Sequence, residues 1–75
     1  MSNVIRILYP VQHQAKDIFV SDAWVVWKLY NLEQPQKIVA IKFLRMEYDL
    51  DLRTAKDVCD AIGAMREEPQ THNEY

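Results

Sequence analysis

Cysteine and histidine are scarce in this 75-residue chain, one and two respectively, and their placement is informative. The single cysteine, Cys59, excludes an internal disulfide and a multi-cysteine zinc site. It lies inside an apolar helical stripe, where a thiol is a small hydrophobe rather than a nucleophile. No histidine is placed to activate it: His13 falls in a predicted loop and His72 near the end of the chain. His72 with Glu74 supplies two metal-ligand types on a predicted tail, too few for a site. Asp49 and Asp51 form a carboxylate pair on a short turn. Nothing there would desolvate either one, so they read as turn and cap rather than acid and base. One glycine, Gly63, cannot build a phosphate-cradling loop. No catalytic residue, metal site or cofactor is expected.

What remains is recognition chemistry: cations set among exposed apolar residues. From Gln36 the pattern is helical, and Pro35 suits a first helical position. Val39, Ala40, Phe43 and Leu44 share one face at three-to-four spacing, while Ile38, Ile41, Lys42 and Arg45 lie opposite. This helix should end near Tyr48, because Asp49-Leu50-Asp51 disfavours its continuation. Asp51 is placed to N-cap a second helix whose stripe is Leu52, Ala55, Val58, Cys59 and Ile62. Lys56 and Asp60, four apart, are spaced to pair. Gly63 sits where a C′ glycine would, the alternative being a helix that runs on toward Pro69.

The elements that must hold these helices come first in the chain. Val4–Tyr9 is β-branched and aromatic and reads as a strand that Pro10 stops. Val11–Lys16 reads as a loop, and Asp17–Val20 as a short second strand. Ala23–Tyr30, with Trp24, Trp27, Val25 and Val26 and only Lys28 charged, fits a strand on composition or a helix capped by Asp22. Both tryptophans are expected in the core, which a chain this short can ill spare. Glu67–Tyr75 has almost nothing to bury, so a single domain over 1–66 followed by a flexible acidic tail is expected.

Apolar residues make up 49% and charged residues 27%, a globular balance. No apolar run approaches the ~20 residues that span a bilayer, and Met1–Pro10 has no long apolar stretch of the kind a secretory signal needs. With one cysteine, these features point to the cytoplasm. The net charge of −2 conceals +3 over Met1–Met46 and −5 over Glu47–Tyr75, so the basic half suits an acidic partner. An acidic chain is a poor nucleic-acid binder.

The segment K-I-V-A-I-K-F-L-R-M-E-Y-D-L-D-L-R-T-A-K-D-V (Lys37–Val58) resembles the C-terminal domain of the bacterial ribosomal stalk protein, which recruits translational GTPases. Lys37, Ile41, Lys42, Arg45, Leu50, Leu52, Ala55, Lys56 and Asp57 fall on identical family residues. Val25–Asn31 (V-V-W-K-L-Y-N) resembles the family's preceding strand and turn, which tips Ala23–Tyr30 toward strand. The family's two glycines between the helices are Asp49 and Asp51 here, and its third helix and closing strands have no counterpart after Gly63. Asp49 must then accept the turn geometry, including a left-handed one.

The resemblance implies a small α+β fold: a three-stranded, mainly antiparallel sheet with two helices on one face, completed by the N-terminal strands. It also implies that Lys37, Ile38, Ile41, Lys42, Arg45 and Lys56 form a protein-binding surface, an apolar anchor with a basic rim that suits an acidic, apolar partner. A translational GTPase or another component of a host machine is the partner class. Two other readings stand beside it. One is a helix-turn-helix DNA binder using Arg53 and Lys56, or a phage-encoded regulator acting on the transcription machinery. The other is a homodimer through the Ala23–Tyr30 strand edge.

Overall fold

The structure, a computed structural model, describes residues 3–9 and 12–69. Strand β1 (Val4–Tyr9) is followed by strand β2 (Gln14–Phe19) and helices α1 (Val20–Tyr30), α2 (Lys37–Tyr48) and α3 (Leu52–Gly63). The strands form an antiparallel hairpin with Ile5 opposite Ile18, Ile7 opposite Lys16 and Tyr9 opposite Gln14. Alternation sorts the side chains: Ile5, Ile7, Tyr9 and Ile18 face the helices, while Arg6, Leu8, Asp17 and Phe19 face outward. The hairpin turn includes His13 at φ 53°. The second strand therefore begins within the segment that composition assigns to a loop; pairing with β1, not residue type, makes it a strand.

Two expectations are corrected. Among the described residues the sheet has two strands, not three, and three helices rather than two complete the fold. Both changes have one cause: Ala23–Tyr30 lies in helix α1. Its composition favours a strand, but its burial has helical period, with Val20, Ala23 and Val26 buried and Trp27 and Tyr30 packed against the core. Asp22 in the first turn and Lys28 in the last also complement the helix dipole. There is accordingly no strand edge at Ala23–Tyr30 through which a homodimer could pair.

Helix α1 follows β2 directly. The Val20 N–H donates to the Asn3 carbonyl at 2.6 Å, carrying the ladder one step into the helix. The tryptophans separate. Trp27 packs on the core and its indole N–H donates to the Met65 carbonyl at 3.2 Å. Trp24, expected in the core, is exposed, with Lys28 Nζ 5.2 Å from its ring. It falls one position past Ala23, on the solvent side of the turn.

The helical hairpin matches its sequence reading closely. Helix α2 ends at Tyr48, Asp49 takes the left-handed conformation (φ 53°, ψ 44°), and the Asp51 carboxylate accepts the Thr54 N–H at 2.9 Å as the N-cap of α3. Pro35 lies in the linker ahead of α2, two residues before its start. Lys56 and Asp60 do not close an ion pair. Among the described residues the ion pair is Arg6–Asp17, across the hairpin at 3.0 Å.

The apolar stripe of α3 packs against α1, α2 and β1, so Ala55, Val58, Cys59 and Ile62 are fully buried. Leu52, placed in that stripe by spacing, is exposed at the helix start. Beyond α3 the chain turns back past β1, where Met65, Arg66 and Pro69 share a hollow with Ile5 and Ile7. Residues 70–75, the rest of the expected tail, lie outside the described residues.

Gly63 is the last residue of α3, not a left-handed C′ residue; its φ is negative. It is required by contact. A Cβ there would sit 2.1 Å from Cγ of Tyr30, inside the ring's own volume. Helix propensity alone would make Gly63→Ala stabilising by about 1 kcal/mol, but overpacking of this kind costs about 1–3 kcal/mol. Urea unfolding should show the variant less stable than the parent.

Tyr48 ties three elements together. Its hydroxyl donates to Asp22 Oδ2 at 2.5 Å and accepts the Phe19 N–H at 3.0 Å. Burial, and then the bond to Asp22, push the phenol up to about 12 from 10.0. A raised acid contributes stability that is present below its unfolded value and lost as pH climbs through the folded one. That contribution should therefore fade between about pH 10 and 12. Tyr48→Phe should lose about 1–3 kcal/mol at neutral pH, and the gap to wild type should narrow in urea titrations at pH 11 to 12.

A candidate partner-binding surface on the second helix

Helix α2 is anchored along Ala40 and Leu44, both fully buried and one turn apart. Its opposite side faces solvent. There Ile38 is 71% exposed, Val39 50% and Met46 81%, with exposed Lys42 and Arg45 set among them. Ile38, Lys42 and Met46 follow one another at four-residue steps and form a single row. Toward the helix end, Lys42, Arg45, Met46, Asp49 and Leu50 line an open hollow of about 310 Å³. The row is apolar–cation–apolar, with a second cation alongside.

The six residues expected at this surface are not all brought together. Ile38, Lys42 and Arg45 share the exposed face. Ile41 is partly buried and packs against the core, since it lies only about 60° around the helix from Leu44, where Val39 lies about 140° away. Lys37 is exposed but turned toward α1, its Nζ 4.8 Å from the Tyr30 ring. Lys56 stands exposed on α3 rather than in the row. Val39 and Met46 belong to the face and were missed. Their signal is the Ala40–Leu44 pair: once that pair is the centre of burial, Val39 and Met46 lie about 100–160° around the helix from it.

The electrostatics are mild and local. Two bonds from Thr54 hold the Asp51 carboxyl below its ordinary range, and nearby Arg45 adds to this. Asp51 is thus committed to the cap and stays charged beside the basic row. Arg53 and Lys56, the cations a DNA-reading α3 would use, share their helix with Asp57 and Asp60. Asp57 already accepts a 2.9 Å bond from the Gln12 amide.

Among the described residues, no group of three His, Cys, Asp or Glu side chains is placed to hold a metal, and no helix is long and apolar enough to cross a membrane. The Cys59 thiol is pushed up to about 11 by burial and by Asp60, against a smaller opposing influence of Lys37.

Compared with known proteins, the chain matches no family model, no curated protein and no solved structure.

The state of Cys59 is directly measurable. A disulfide reagent at pH 8 should label the folded protein at least about a hundredfold more slowly than the urea-unfolded chain, because labelling must await opening of the core.

Proposed function

We propose that the chain is a non-catalytic protein-binding module whose contact surface is the outer face of α2. The observation that carries this reading is the row Ile38–Lys42–Met46, with Val39 and Arg45 beside it. Apolar side chains this exposed lower solubility unless something covers them. The cations among them favour an acidic, apolar partner, which they would steer and orient while the apolar groups supply affinity. The resemblance of Lys37–Val58 to the factor-binding domain of the ribosomal stalk makes a translational GTPase the first partner class to test. Support for this reading comes from the helical hairpin, which the resemblance spans, and not from the preceding segment, which is helical where the family has a strand.

The test is titration calorimetry of the full chain with a purified bacterial elongation-factor GTPase. Wild type should bind, and Ile38→Asp combined with Lys42→Glu should weaken binding at least about tenfold. Both positions are exposed, so circular dichroism and the unfolding midpoint should be unchanged. Equal binding by the two chains would rule out the α2 face, and absence of binding by wild type would rule out this partner class.

A further inference from the structure

The outward face of the β-hairpin is a second open surface, and its pattern is unlike that of α2. It consists of three cross-strand pairs: Val4 opposite Phe19, Arg6 opposite Asp17, and Leu8 opposite Ala15. Leu8 is 67% exposed and Phe19 53%. Between these apolar pairs, Arg6 grips Asp17 with two bonds, Nε to Oδ1 at 3.0 Å and a longer one from an Nη to Oδ2 at 3.4 Å. The patch therefore carries one charge of each sign, side by side at its centre, with one large and one small residue in each flanking pair.

We infer that this face binds a second copy of the same chain, sheet against sheet, about a two-fold axis running along the strands between β1 and β2. That axis sets Arg6 of each copy over Asp17 of the other. It also sets Phe19 over Val4 and Leu8 over Ala15, so bulk meets a smaller side chain at both ends. A two-fold lying across the strands would instead place Arg6 on Arg6. An acidic or basic partner would leave one of the two charges facing its like. The charge pattern is complementary to itself and to neither kind of charged surface. The slight splay of aligned sheets, about 30°, is accommodated by the same axis.

The contact is small. Two six-residue strands give a ribbon roughly 20 Å long and 10 Å wide, well short of the ~800 Å² per partner of a stable complex. The central charges must also lose water, which costs affinity even when they are paired. The dimer is thus a weak one, with a dissociation constant on the order of 0.1–1 mM.

Sedimentation equilibrium of the full chain from about 20 µM to about 1 mM tests it. The mean mass of wild type should climb from monomer toward dimer over that range. The Arg6→Asp chain and the Asp17→Arg chain should each remain monomeric, because each sets like charges across the axis. Mixed in equal amounts, the two should associate, because each supplies what the other lacks. If either unfolds by circular dichroism, Leu8→Glu, at an exposed position, replaces it and should weaken association at least about tenfold. The α2 variant Ile38→Asp with Lys42→Glu should dimerise like wild type, which separates this face from the proposed partner surface. A wild type that stays monomeric at 1 mM, or single variants that self-associate as wild type does, would overturn the proposal.

Discussion

The described helices meet at one crowded place, the crossing of α1 and α3 at Tyr30 and Gly63. A short domain buries too little surface to spare any of its helices, so its longest apolar stripe, on α3, must be covered on every side. Helix α1, helix α2 and strand β1 all lie against it. The first of these can come close only because Gly63 presents no side chain to the Tyr30 ring. Tyr30 in turn receives Lys37 over its ring, at the start of α2. The start of α2 thus meets the same crossing that Gly63 makes possible.

The helical hairpin was legible in the sequence because its signals are local. Asp51 three residues before Thr54, and an aspartate able to turn left-handed at position 49, are both readable in a short window. The α3 stripe was equally clear, apart from Leu52 at its unprotected start. The stretch Ala23–Tyr30 was not legible, for a physical reason. Its valines and tryptophans are favoured in strands, but composition does not say which side chains find a core, and the burial that forms, at Val20, Ala23 and Val26, has the period of a helix. The resemblance to a family with a strand there pointed the same wrong way as the composition.

The surface on α2 was half legible. Sequence spacing identified Ile38, Lys42 and Arg45, but a helix twelve residues long admits several divisions into faces. Treating Val39 as core and Ile41 as surface rotates the dividing line by a fraction of a turn. Only the neighbours that press on Ala40 and Leu44 decide it. The hairpin's outer face had no distinctive sequence signal at all. Arg6 and Asp17 become partners through strand register, and register is a property of the pair rather than of either strand.

The direct passage from β2 into α1 bears on how such a chain can change over time. Phe19 ends the strand and Val20 begins the helix, with no residue between them. The hairpin and α1 therefore share one rigid reference. A single inserted residue at this joint would turn the buried side of α1 by about 100° toward solvent, and a deletion would do the same in the other direction. The linker over residues 31–36 carries exposed side chains throughout and has no such phase to keep. Length variation among descendants of this chain should accumulate between α1 and α2 and be purged at the strand–helix joint.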